Sequence, residues 1–242
     1  TKKWEHELMY QVEEARKAAA LKARFLSNMS HDIRTPMNGI IGTLNLANRY
    51  PDDLEVQRKC REQIMTSSKY LVSIVNDILD MNKLESGGVV EQEIPFNLAE
   101  LLNRVNLGKQ KQAAEKNVEY IVDWEQSDIR HMDLAWNPIY VERLLTNISD
   151  NAVKFTGPGG SVRLCARRET GRLTLTVQDT GRGMDAETLA HIGEPFYRPD
   201  KARSREQGGA GLGLALCFQI AQSHGAALSF TCLLYTSDAA DE

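Results

Sequence analysis

The sequence predicts an α+β protein: a long helical hairpin forming a dimeric four-helix bundle, followed by an α/β sandwich with a mixed sheet. Three observations carry this reading. Phe25, Met29, Ile33, Met37, Ile40 and Leu44 recur at steps of three and four, one buried apolar stripe on a helix over residues 4–48. Ile64, Leu71, Ile74, Ile78 and Met81 recur at steps of seven, three, four and three on a second helix over residues 54–85. From residue 89 short β-rich runs alternate with helical ones, the pattern of a sheet covered by helices on one face.

Taken in order, residues 4–24 are rich in Glu, Lys, Arg and Ala, which suits a coiled-coil or signalling helix entering from an upstream region. Pro36 should kink the helix, because it removes a backbone donor and crowds the preceding turn. Tyr50-Pro51-Asp52-Asp53 is the turn, with Asp52 or Asp53 as N-cap of the second helix. Ser86-Gly87-Gly88 ends that helix. Two antiparallel helices with one stripe each do not bury both stripes alone; a dimeric bundle does, and a monomeric hairpin packed on the C-terminal part is the alternative. Strands are expected at 118–124, 161–168, 173–178 and 227–231, helices at 98–116, 138–155 and 212–224. Residues 198–209 are polar, glycine-ended and aperiodic, which predicts a mobile segment. The domains expected are an upstream helix at 1–22, the dimerisation hairpin at 23–86, the α/β domain at 87–232, and a truncated or foreign tail at 233–242.

The composition narrows the classes of function. The 242 residues suit one large or two modest domains, and 42% hydrophobic with 26% charged residues is ordinary globular material. A net charge of −4 argues against nucleic acid as the main partner. No apolar run approaches the roughly 18 residues of a membrane span, and the charged N-terminus is unlike a signal peptide. Cys60, Cys165, Cys217 and Cys232 lack C-x-x-C spacing, which suits buried thiols in a reducing compartment and neither disulfides nor zinc.

His31 is the candidate reactive residue. It sits two positions past Met29, about 200° around the helix from the apolar stripe. It therefore points to water, beside Asp32. Four elements of the second domain accompany it. Asn147, Asn151 and Lys154 form one polar line down a helix, two amides and an ammonium suited to a magnesium ion and phosphates. Asp179-Thr180-Gly181-Arg182-Gly183 comes directly after a strand, so a carboxylate can accept from an exocyclic amine where the backbone approaches closely. A dinucleotide fingerprint is the competing reading there, but no strand ending in an acid follows about 20 residues on. Glu194-Pro195-Phe196-Tyr197-Arg198 is the third element. Gly208-Gly209-Ala210-Gly211-Leu212-Gly213-Leu214 is the fourth, opening an apolar helix whose free backbone donors suit an anion.

N-x-x-x-N-A-x-K-F, then D-x-G-x-G, then the Phe motif, then G-x-G-L-G, in that order, resembles the ATP-binding domain of sensor histidine kinases. Residues 31–36, H-D-x-R-T-P in outline, resemble the family's phosphotransfer hairpin. The likeness covers about residues 23–230. It implies autophosphorylation of His31 by ATP with Mg²⁺, then transfer to an aspartate of a response regulator receiver domain, by a homodimer. It also implies that Asp32 accepts from His31 Nδ1–H and fixes its tautomer, and that Thr35 serves regulator dephosphorylation. Asn151 is similar to the family's magnesium ligand, with Asn147 beside it and Lys154 near the phosphates. Asp179 would hold the adenine amine, Gly181 and Gly183 the ring, and Phe196 lies in the site. Gly209, Gly211 and Gly213 would cradle phosphates under a lid at 197–208. The chain would be the cytoplasmic portion of a protein whose relatives are often anchored in the inner or plasma membrane.

Gyrase- and chaperone-type ATPases share this ATP-binding fold but place a glutamate where Asn147 stands, and an amide cannot act as a general base. A catalytically silent dimeric scaffold is the third reading. Two departures stand out: Trp136-Asn137-Pro138 replaces an acidic residue, and no G-x-G-T-x-F hairpin comes after Phe230.

Overall fold

The computed structural model describes residues 2–85, 94–123, 129, 132–169, 171–199 and 210–232. The chain divides into two compact units, residues 1–78 with 200–212 and residues 79–199 with 213–242.

The first unit is a helical hairpin built on α1 (Lys2–Arg49) and α2 (Leu54–Glu85). The helices run antiparallel: a Cβ on Gly39 would lie 3.9 Å from Ser67 Oγ, and nearer the turn Gln57 Nε2 donates to Ala47 O at 2.7 Å. Gln57 also donates to Tyr50 O at 3.0 Å, so one amide satisfies carbonyls that the end of α1 leaves without helical donors. Asp53 is the cap of α2, its Oδ1 accepting from the backbone N–H of Glu55 and Val56 at 3.1 and 3.0 Å. Pro36 lies inside α1, which continues through it.

The apolar stripe is not sealed within one chain. Phe25, Met29, Ile33 and Ile40 are half-buried, but Met37 and Leu44 are 45% and 46% exposed. Ile41 is exposed as well, and so are Met65, Val72, Val75 and Leu79 on α2. These exposed residues also recur at helical spacing. A helix turns only one side toward its hairpin partner, and the other apolar side stays open.

The second unit is the α/β sandwich. Its elements are β1 (Ile94–Asn97), α3 (Leu98–Glu115), β2 (Glu119–Asp123), β3 (Asp133–Trp136), α4 (Pro138–Phe155), β4 (Ser161–Glu169), β5 (Arg172–Asp179), α5 (Ala186–His191) and α6 (Gly213–Ser223). Among the described residues the main sheet has the order β2-β4-β5, with β2 parallel and β5 antiparallel to β4, a mixed sheet. β1 and β3 form a separate antiparallel pair with Ile94 opposite Trp136. Neither was expected: four residues are too few for alternation to stand out, and Pro95 reads against a strand.

Along β4, Val162, Leu164 and Ala166 are buried while Arg163 and Arg167 are exposed. The buried row meets Leu98, Leu101, Leu102 and Val105 of α3 and Val141 and Leu145 of α4, with Ala113, Val118, Ala152 and Val153 in a second cluster. The helices thus cover one face of the sheet.

One expected strand does not form. Residues 227–231 carry no ladder, although Ala226, Leu228 and Phe230 are half-buried and Ala227 and Ser229 exposed. The alternation reports a segment lying on an apolar surface, with Phe230 against Phe218 at 5.7 Å between ring centroids. A strand also needs a hydrogen-bonded neighbour, which periodicity does not supply. Ser86-Gly87-Gly88, Trp124, residues 200–209 and residues 233–242 lie outside the described residues. Among the described residues no helix is long and apolar enough to cross a membrane.

Candidate functional site

In the helical unit, His31 Nδ1 lies 3.1 Å from Asp32 Oδ1, and the imidazole is 61% exposed. A carboxylate only accepts, so this contact selects the tautomer with the proton on Nδ1 and leaves the Nε2 lone pair as the nucleophilic position. Thr35 is exposed, and its hydroxyl donates to His31 O at 3.1 Å. The three residues predicted together by sequence therefore share one turn of α1.

The α/β unit assembles its candidate residues around the C-terminal half of α4. Tyr140, Val141, Leu145, Ser149, Ala152 and Val153 of this helix are buried. Ser149, wholly buried, meets Tyr120 Oη of β2 at 3.3 Å. Asn147, Asn151 and Lys154 lie off that face and remain half-buried. The helix begins at Asn137, whose side chain accepts from Ile139 N–H at 3.1 Å, with Pro138 at the first helical position. The Trp136-Asn137-Pro138 departure is thus a strand end followed by a cap.

Asn147 Nδ2 donates to Gly213 O at 3.2 Å, tying α4 to the start of α6. One turn further along α6, Cys217 Sγ contacts Leu144 O at 3.6 Å. The first contact orients the amide: the NH₂ faces Gly213, so Oδ1 is the side left to accept.

At the other end of α4 the D-x-G-x-G segment is pressed against Phe155. Asp179, exposed at the end of β5, accepts from Gly181 N–H at 2.9 Å, and Arg182 N–H reaches Phe155 O at 3.4 Å. A Cβ on Gly181 would lie 2.7 Å from both Asp179 Oδ1 and Phe155 O, so only glycine fits. The protein's own backbone already imposes this glycine. Gly183 and Gly211 adopt φ of +67° and +72°. Phe196 adopts φ +64°, a conformation a bulky residue rarely takes. Gly209 lies outside the described residues.

The electrostatics favour an anion. Burial holds Lys154 below the ordinary lysine range, and the charges of Arg198, Lys116 and Arg182 add to that effect while Asp150 opposes it. Lys154 Nζ and the Arg182 guanidinium each stand 4.9 Å from the centroid of the Phe155 ring. Among the described residues no group of three or more His, Cys, Asp or Glu side chains is placed to hold a metal ion. The donors present for a divalent cation are amide oxygens, which need phosphate oxygens to complete a shell.

Sequence reasoning missed the Asn147–Gly213 bond, the Phe155 platform, the fourth cation Lys116, and His191, which lies 2.7 Å from Glu194 Oε1. The last had a visible signal, a histidine three residues before a glutamate at a helix end.

Two family models match the chain: the His Kinase A (phospho-acceptor) domain over residues 21–87, and the histidine kinase-, DNA gyrase B- and HSP90-like ATPase over residues 137–239. The sensor protein GacS of Pseudomonas syringae pv. syringae is 36% identical over 216 residues, 88% of this chain and 24% of that protein. The autoinducer 2 sensor kinase/phosphatase LuxQ of Vibrio harveyi is 34% identical, covering 84% of this chain and 24% of its own length. Full-length ShkA in complex with AMPPNP aligns at a TM-score of 0.59 with 30% identity, over 83% of this chain and 41% of that one. The chain spans about a quarter of the length of the curated relatives it matches. It belongs to the sensor histidine kinases of two-component systems.

Proposed function

We propose that the chain uses ATP to phosphorylate His31 and passes the phosphoryl group to an aspartate on a response regulator receiver domain. The observation that carries this reading is His31 itself: a solvent-facing imidazole whose Nδ1 is engaged by Asp32 at 3.1 Å. In the reaction Nε2 attacks the γ-phosphorus, a P–N bond forms, and the bond to the ADP oxygen breaks. Asp32 holds the proton on Nδ1 and stabilises the positive charge that develops on the ring.

The ATP site is read onto the α/β unit. Asp179 accepts from the adenine amine, Lys154 with Arg182 and Arg198 neutralises the polyphosphate, and the start of α6 offers unpaired backbone donors. Burial is the main cause of the lowered Lys154, and the charges of Arg198, Lys116 and Arg182 add to it; that cluster of cations is the fit test, since an anion among them relieves their mutual repulsion. Mg²⁺ would be held by Asn151, with Asn147 Oδ1 beside it, and supplies charge neutralisation when bound. ShkA, whose structure holds AMPPNP, supports the nucleotide, and LuxQ, whose name includes phosphatase, supports a regulator-phosphatase activity; Thr35, one turn after His31, is the residue to which we assign it.

A homodimer is the natural consequence of the open apolar sides of α1 and α2. A second hairpin would cover Met37, Ile41 and Leu44 with Val72, Val75 and Leu79 in a four-helix bundle. An ATPase of the gyrase or chaperone type is disfavoured by the amide at Asn147. Incubation with γ-labelled ATP and Mg²⁺ tests the reading: the label should sit on protein and be lost in acid. Acid-stable label, or release of free phosphate without labelled protein, would overturn it.

A further inference from the structure

Beyond α5 the chain makes a compact turn in which His191 and Glu194 have no role in the reading above. Glu194 N–H donates to His191 O at 2.9 Å and Tyr197 N–H to Glu194 O at 3.2 Å. Across the same turn His191 Nδ1 stands 2.7 Å from Glu194 Oε1, and its ring packs on Tyr197 at 5.3 Å between centroids. Phe196, between Glu194 and Tyr197 in the chain, adopts φ +64°, a strained conformation that persists only where its surroundings over-determine it. The far side is closed as well. A Cβ on Gly193 would lie 2.9 Å from Phe218 Cδ2, so the aromatic ring of α6 fills the space into which the turn could relax.

A surface His–Glu pair three residues apart contributes little by itself. His191 differs in having two partners, one on each side of a strained residue. The turn also stands directly before a charge of the nucleotide site. Arg198 is the next residue after Tyr197, and its charge is one of those acting on Lys154.

We propose that His191 is a positioning residue for the nucleotide site: by clamping Glu194 and Tyr197 around Phe196, it delivers Arg198 to the phosphate-binding cations. Its imidazole donates through Nδ1 to the Glu194 carboxylate and touches no reacting atom. The proposal rests on the ATP reading given above.

A double-mutant cycle on the full chain tests it, with ATP and Mg²⁺ titrated calorimetrically into wild type, His191→Ala, Arg198→Gln and the double variant. Each single substitution should weaken ATP binding about tenfold, the scale of one charge-assisted contact, and the double no more than Arg198→Gln alone. In His191→Ala, His31 labelling at saturating ATP and the melting temperature should be unchanged, so KM moves and kcat does not. His191→Gln keeps an N–H donor for Glu194 but not the ring against Tyr197, so it should recover part of the loss; Tyr197→Leu should lose the other part without touching the ion pair. Wild-type affinity in His191→Ala, additive losses in the double variant, or a weakening explained by a lower melting temperature would each overturn the positioning role. If wild type itself binds no ATP, the nucleotide reading falls and takes this proposal with it. If wild type binds and only the cycle fails, the nucleotide reading stands.

Discussion

Helices α1 and α2 carry apolar periodicity as regular as that of α4, yet the outcome differs. Met37, Ile41, Leu44 and Leu79 stay about half exposed, while Leu145 and Val153 of α4 are at most 1% exposed. The α/β unit closes its core within one chain because a sheet and two helices present faces to one another. The hairpin has two layers for four apolar sides. Periodicity in sequence therefore reports that a face will be covered, but not by which molecule.

The contrast can be broken at several points. His31→Gln should have the largest effect, removing all protein-bound label from γ-labelled ATP while leaving calorimetric ATP affinity at the wild-type value. A parallel loss of affinity would mean that the hairpin contributes to the nucleotide site. Next, Leu145→Ala should destabilise the α/β unit by about 2–5 kcal/mol in denaturant titration, independent of protein concentration. Leu44→Asp should instead lower the molecular mass measured by sedimentation from dimer to monomer. An unchanged mass would assign the open face to another partner.

Asp179→Asn should weaken ATP by about 1–3 kcal/mol, because an amide can present a donor where the adenine amine needs an acceptor. Wild-type affinity would remove Asp179 from the adenine site. A smaller effect concerns pH. Burial and neighbouring cations hold Lys154 below the ordinary lysine range, so in the free protein it loses its proton at a lower pH than an unperturbed lysine would. ATP affinity should fall as pH rises through that lowered value, and binding there should take up protons, read from calorimetric heats in buffers of different ionisation enthalpy. For folding the sign is opposite. Between the lowered value and the unfolded one the native state binds fewer protons, so this group's contribution to stability rises with pH. Thr35→Ala should change least: His31 labelling persists, and only dephosphorylation of the phosphorylated regulator is lost. Equal loss of both would make the 3.1 Å bond to His31 O a structural support for the Pro36 region.

Sequence made the long elements and the order of motifs legible because each is a local pattern. The helix expected at 138–155, the strands expected at 161–168 and 173–178, and the Asn147-Asn151-Lys154 line all appear where the sequence places them. The features it missed depend on approach between distant segments. β1 and β3 exist through each other, and residues 227–231 lack a ladder despite their alternation. The dependence of Gly181 on Phe155 O, from a different element, and the orientation of the Asn147 amide by Gly213 O could not be read from spacing.

That last contact constrains how this chain could diverge. If water-activating relatives carry a glutamate at the position of Asn147, the shortest route to hydrolysis is one substitution there. In this chain a carboxylate would set its oxygens against the Gly213 carbonyl, oxygen facing oxygen, where a donor now stands at 3.2 Å. The helix after the glycine segment would lose its tether in the same step that created the base. A change from the proposed reaction to hydrolysis would thus call for a second, compensating change at the start of α6, because the substitution that creates the base also removes the donor to Gly213 O.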